Sequence, residues 1–313
     1  MNKVKHVSKS ILLKLISIIK NYNKEECFSI FCDPRGGSTW LAEMLSEIPN
    51  TVIIDEPFHL NNNLILKDQN FGWRQFIPED EEWSEIENYI QRLSRGRGFT
   101  PEMVFRNSYT ELLEGNKIIN KIVRGKGFLP WYVSNIEHRY KPVFMIRHPF
   151  AMISSMMIYG AWDYNYEPFI VPKTKYNFIY KSHRKFLESL RSKEEQLVAL
   201  WCMQNQHVLQ HPRNNLDWIS ISYEDLLLRP SEILGEIFFE WNIEIPGSLE
   251  QKIKQPSTTS TKFRIDKEDQ LIGWKTALSP ETTSRLLHVL DYFEVDIYGN
   301  DPLPQYDLRK INA

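Results

Sequence analysis

Residues 33 to 40 read DPRGGSTW, a cation followed by two glycines, two hydroxyls and an indole, directly after the apolar run CFSIFC at 27 to 32. Gly36 and Gly37 let backbone approach an anion closely, Ser38 and Thr39 offer hydroxyl donors, and Arg35 adds a full charge on a planar fork of N–H groups. A helix starting near Ser38 would aim its unpaired N–H groups and the positive end of its dipole at the same point. Such a cradle binds phosphate. The same residues also read as a plain glycine turn with Ser38 as the helix cap.

A second cation, Arg147, ends the run PVFMIR at 142 to 147, and Pro149 stands where a helix can start. Ser155 follows eight residues after Arg147, so a strand end and a helix face could meet at one phosphate; alone, Arg147 reads first as a surface cation beside a turn. No lysine precedes Ser38, so the GxxxxGK[ST] loop of nucleoside triphosphatases is absent, and an arginine cannot hold magnesium. A P-loop small-molecule kinase stays open as an alternative, distinguished by a need for ATP and magnesium.

Candidate proton acceptors lie after the run TVIID at 51 to 55. Pro57 biases Glu56 away from helix, which places the carboxylate at the sheet edge that carries the glycine loop. Asp55 points the other way if the strand is extended, and His59 is the reserve base. Glu56 could instead be tied up in a salt bridge with a loop arginine.

The elements that must position these groups are short β-branched and aromatic runs at 27–32, 51–55, 117–123, 142–147 and 218–223. Helical periods alternate with them, at Trp40, Leu41, Met44, Leu45 and Ile48, at Trp83, Ile86, Ile90 and Leu93, and from about 194 to 210. The alternation predicts an α/β fold, a P-loop-like parallel sheet flanked by helices on both faces, with ligand at the carboxyl ends of the strands. One domain is expected at 26–300, after an amphipathic segment at 1–25 and before a tail at 301–313.

In this order, DPRGGSTWL and RHPFAMISS resemble the two cofactor motifs of sulfotransferases that use 3′-phosphoadenosine-5′-phosphosulfate (PAPS). YEDLLLRP at 223–230 and GWKTALSPET are similar to two further segments of that family, and DEPFHL at 55–60 resembles the EP segment of its carbohydrate-directed members, the bacterial or Golgi-like ones being nearest. The likeness spans about residues 27 to 290. It implies that Arg35, Gly36, Gly37, Ser38, Thr39 and Trp40 hold the 5′-phosphosulfate, that Arg147 and Ser155 hold the 3′-phosphate, and that Tyr223 lies at the adenine. PAPS is then the co-substrate, Glu56 the general base, Arg35 a catalytic donor, and no metal is needed. The acceptor is a hydroxyl, of a carbohydrate or glycolipid. Lys262 and Arg264, in the polar loop at 256–264, are candidates for closing over the nucleotide. Departures are Gly36 in place of a usual serine and His148 in place of a frequent aspartate. A module that binds nucleotide without chemistry is the alternative from another class.

The remaining composition narrows the field. Among 313 residues, 38 basic and 40 acidic side chains leave a net charge of -2, and no basic stripe marks a nucleic-acid binder. Cys27, Cys32 and Cys202 form no CxxC pair, which fits a reducing cytoplasm rather than a disulfide framework. ILLKLISIIK at 11–20 is too short and too charged to span a bilayer. Leu12, Leu15, Ile16 and Ile19 share a helical face that docks on the domain or rests peripherally on a membrane. His207 and His211, spaced i, i+4 without a glutamate between, read as a packed or solvated helix face. Most tryptophans, Trp73 among them, read as core, whereas Trp162, Tyr164 and Tyr166 form a candidate sugar platform.

Overall fold

The five apolar runs are strands: β1 (Cys27–Cys32), β2 (Thr51–Asp55), β3 (Lys117–Val123), β4 (Val143–Ile146) and β5 (Ile219–Ser222). In the computed structural model, which describes residues 3–20, 22–160, 167–259 and 267–312, they form one sheet in the order β2-β3-β1-β4-β5. Every pairing is parallel. The last two strands are shorter than the runs that predict them. Arg147 lies just past β4, and Tyr223 is the first residue of the helix Tyr223–Leu228.

Side chains alternate along each strand, so one strand feeds two cores. From β1, Phe28, Ile30 and Cys32 enter a cluster with Leu41, Met44 and Leu45 of helix α2 (Ser38–Leu45) and with the helix Pro230–Trp241. Phe31 enters the opposite cluster, with Phe150, Trp201 and Leu286 from three further helices. Both faces are therefore covered, as a parallel sheet requires. Cys32 stands level with Val123 of β3 and Met145 of β4, so the carboxyl ends of the three central strands open at one edge.

Preceding β1, the helix α1 (Lys3–Ile19) docks through Lys9, Leu13 and Ile16, which are buried. The face differs from the expected one. Ile16 points inward as predicted and Leu12 packs at the margin, but Leu15 and Ile19 are exposed. Lys9 decides the rotation, because its ammonium donates to the carbonyls of Val104 and Asn107 at 2.8 Å each. At the other end of the chain, Leu308 is buried, and Asn215 Nδ2 donates to the carbonyls of Leu308 and Ile311.

The three cysteines are buried free thiols. Among the described residues no helix is long and apolar enough to cross a membrane. Trp83, Trp131, Trp201, Trp218, Trp241 and Trp274 are buried as expected, but Trp73 is 41 % exposed. His207 packs edge-on against Phe76, whereas His211 lies beyond the end of its helix (Lys193–Leu209) and binds Glu79, so the two do not share a helix face.

Candidate functional site

The turn between β1 and α2 has the geometry that its glycines permit. Gly37, at φ +94°, caps α2, and Ser38 is the first helical residue rather than the cap. No side chain caps the helix, and the first intrahelical bond is Leu41 N–H to the Gly37 carbonyl. The N–H groups of Ser38, Thr39 and Trp40 therefore precede the ladder. A Cβ on Gly36 would stand 2.5 Å from Cys32 Sγ, which explains why a serine is not accommodated there. A Cβ on Gly37 would stand 2.4 Å from the Tyr223 ring.

Arg35, Arg147, Ser155 and Tyr223 are brought together at this turn, although not in the pairing the sequence predicts. Ser155 Oγ accepts from Arg35 Nε at 3.0 Å, not from Arg147. Arg147 Nη1 donates to the Arg35 carbonyl at 2.9 Å, and its guanidinium lies 4.4 Å from the centre of the Tyr223 ring. The Tyr223 hydroxyl donates to Gln270 Oε1 at 2.8 Å, and Trp40 meets Tyr223 edge to face. Burial and then the charge of Arg147 push the Arg35 pKa down. Among the described residues neither guanidinium makes an ion pair, and Arg147 Nε is buried with no acceptor. Two adjacent cations without a carboxylate among the described residues, over a glycine turn and a helix start, have the chemistry to hold a polyanion.

Glu56 and His59 both follow β2, and Arg124 follows the neighbouring strand β3. Glu56 is not extended: it turns into the left-handed region at φ +46°, its N–H donating to the Lys121 carbonyl. Its carboxylate pairs with Arg124, so the arginine partner foreseen as an alternative is present. Arg124 also covers the ring of Trp73 at 5.1 Å, and His59 meets the same ring edge-on at 4.9 Å. His59 Nδ1 is buried without a partner, and burial followed by the Arg124 charge lowers its pKa. Asp55 is buried and paired with Lys121 and Arg106.

Several residues of this edge escape a motif-based reading. Lys121 donates to Thr39 Oγ1 at 3.2 Å, and the fully buried Lys126 binds Asp33, the residue before the glycine turn. Their signal is INKIVRGKG, three cations at the end of the strand that adjoins β1. Arg35, Glu56, Arg74 and Arg124 all have positive φ, and non-glycine residues held this way concentrate at functional sites. Trp162, Tyr164, Tyr166, Lys262 and Arg264 lie outside the described residues. Thr258, at the described start of the 256–264 loop, reaches Glu43 and Arg106.

His148 packs behind Arg147, stacked on Trp274. Its Nε2 donates to the Gly299 carbonyl at 3.1 Å while Nδ1 accepts from Phe150 N–H, which suits a neutral ring. Burial pushes its pKa down to about 3. The unfolded chain takes up this proton near pH 6.5 and the folded chain does not, so the stability is complete above pH 6.5 and is lost as pH falls toward 3. A melting series should show the midpoint falling steeply between pH 6.5 and 4. His148→Gln should flatten part of the slope, leaving that of His207, which burial lowers to about 4, and of His59 and His183, which burial also lowers.

No family model matches this sequence, and no curated protein matches it. Among solved structures it is similar to a sulfotransferase domain from the curacin biosynthetic pathway, at 16 % identity over 85 % of this chain and 96 % of that one, TM-score 0.45. It is also similar to mouse sulfotransferase SULT7A1 complexed with PAP, at 13 % identity over 91 % and 90 %, TM-score 0.44. The sulfotransferase domain of the Synechococcus PCC 7002 olefin synthase is similar at 16 % identity over 89 % and 97 %, TM-score 0.43. Scores of this order carry no functional conclusion. The chemistry has to be read from this chain's own side chains.

Proposed function

We propose that the chain is a PAPS-dependent sulfotransferase acting on a hydroxyl of a carbohydrate-like acceptor. The observation that carries this reading is the pair Arg35 and Arg147, side by side at the glycine turn and without a carboxylate among the described residues. A donor with phosphates at its 5′ and 3′ positions supplies the missing negative charge at two points. Ser155, already hydrogen-bonded to Arg35, adds a hydroxyl to the same anion site, and Tyr223 with Trp40 offers aromatic surface beside it.

In this mechanism the acceptor oxygen attacks sulfur, the bond between sulfur and the bridging phosphate oxygen breaks, and the acceptor proton passes to Glu56. The products are a sulfate ester and 3′,5′-adenosine bisphosphate (PAP). Arg35 and the N–H groups at the start of α2 meet the charge that develops on the departing phosphate, and preorganised donors of this kind are worth about 3 kcal/mol each. Arg124 orients Glu56, and the exposed Trp73 ring offers a flat apolar surface for a sugar beside the base.

Two measurements test the proposal. PAP should raise the melting temperature of the protein while ATP with magnesium does not, and radiolabelled PAPS should transfer to sugar hydroxyls in a panel that also holds lipid and phenolic alcohols. Absence of any response to PAP would overturn the reading. Stabilisation by ATP with magnesium instead would point to the kinase alternative, and transfer to phenols alone would change the acceptor class.

A further inference from the structure

Arg74 is a buried cation that the mechanism above leaves unused. It sits in the loop Gly72–Phe76, is 8 % exposed and has φ +57°. Its backbone is fixed from two sides, because the Tyr180 hydroxyl and Gln204 Nε2 each donate to its carbonyl at 2.8 Å. The loop is braced by Gln75, whose Oε1 accepts from Gly72 N–H and whose Nε2 donates to the Phe76 carbonyl. The side chain is thus held where it is by buried polar contacts that do not involve its charge.

Among the described residues the guanidinium has no ion pair, and Nη1 is buried with no acceptor. Asp33 and Arg124 are the charges that influence it most strongly after its own burial, together with the Tyr180 hydroxyl. Asp33 makes no ion pair with it; its Oδ2 holds Lys126 Nζ and Asn205 Nδ2 instead. Lys126 thus takes the carboxylate nearest to Arg74, and Arg124 adds a like charge beside it. The amide that fixes Arg74 carries a second orphan, Gln204 Oε1, buried with no donor. An unpaired buried charge costs several kcal/mol, and a ligand of opposite sign removes that cost.

We propose that Arg74 forms an oxyanion site on the acceptor side of the glycine turn, with Arg124 beside it and Gln204 Oε1 available to a hydroxyl of the same ligand. The chemistry is that of a sulfonate, carboxylate or phosphate group. Two sources present it, the sulfuryl group in transfer or an acidic group on the acceptor, and assigning either rests on the sulfotransferase reading.

The test uses the full chain, sodium sulfate as the probe and thermal shift in a chloride buffer of constant ionic strength. Sulfate should stabilise the wild type on top of saturating PAP, which fills the anion site at Arg35 and Arg147. Arg74→Met should lose that increment, keep the shift from PAP, and melt no lower than the wild type without ligands, because an unpaired buried charge has been removed. Arg74→Lys, which keeps the charge, should retain part of the increment and serves if the methionine variant does not fold. A sulfate increment that survives in Arg74→Met, or one missing from the wild type, overturns the site. Failure of PAP alone to act overturns the proposed donor and leaves the sulfate result standing.

The source follows from the same variants. If Arg74 holds the sulfuryl group, Arg74→Met weakens PAPS about tenfold or more relative to PAP. If it holds an acidic acceptor, the PAPS to PAP ratio is unchanged and the acceptor KM rises by a similar factor. Equal PAPS to PAP ratios together with an unchanged acceptor KM remove Arg74 from the reaction.

Discussion

Arg147→Met is expected to weaken PAP binding by about 10²-fold or more, because truncating a charge that is hydrogen-bonded and largely desolvated in a complex costs roughly 2–5 kcal/mol. Methionine keeps the aliphatic bulk beside Tyr223 and removes the fork that donates to the Arg35 carbonyl. That donation positions the turn, so part of the loss will come from Arg35. Arg147→Lys separates the two contributions: the charge remains, but one ammonium cannot hold the carbonyl, cover the ring and meet a phosphate at once. Its loss should be intermediate. Calorimetric titration with PAP gives both constants, and thermal melts report the fold, which should change little because no ion pair among the described residues is broken. An Arg147→Met protein that binds PAP within threefold of the wild type would separate this arginine from the nucleotide.

The second large effect is expected at Glu56. Base catalysis contributes about 10²- to 10⁴-fold, so Glu56→Gln should lower kcat into that range while PAP affinity stays near that of the wild type. The carboxylate lies on the far side of β3 from Arg147, which is why the two effects should separate. Its partner Arg124 complicates the substitution, since the arginine loses its counter-charge; Arg124→Met is therefore the control. A base merely oriented by Arg124 survives that change with a lesser fall in kcat, whereas a purely structural ion pair gives equal losses in both variants and a lowered melting point. Near wild-type turnover in Glu56→Gln would move the role to His59, whose pKa is lowered by burial and by Arg124, and the acid limb of the pH profile would then lie below 6.5.

The strand, turn and helix around Arg35 were legible because local chemistry decides them: only glycine tolerates the left-handed cap at Gly37 and the 2.5 Å approach to Cys32 at Gly36. The meeting of Arg35 with Arg147 was legible because parallel strands share a carboxyl edge. What was not legible depended on contacts between distant segments. α1 carries aliphatic residues around much of its circumference, so periodicity left its rotation open until Lys9 found the carbonyls of Val104 and Asn107. Glu56 turned left-handed, against the extended conformation that Pro57 favours, because its N–H is claimed by the Lys121 carbonyl and its own carbonyl by His59 N–H. Arg74 had no motif at all; a buried arginine is recognised only when the acid near it is known to be held by another cation.

Of the five strands β1 is made first and lies at the centre of the sheet, and its hydrogen-bonding neighbours β3 and β4 arrive only after about 90 and about 115 more residues. At roughly 5–20 residues per second, translation leaves both edges of CFSIFC bare for about 5–20 s. A newborn strand this apolar, with no partner yet made, is a template for pairing with other nascent copies. Yield should therefore be limited by early self-association of this segment rather than by the stability of the finished protein.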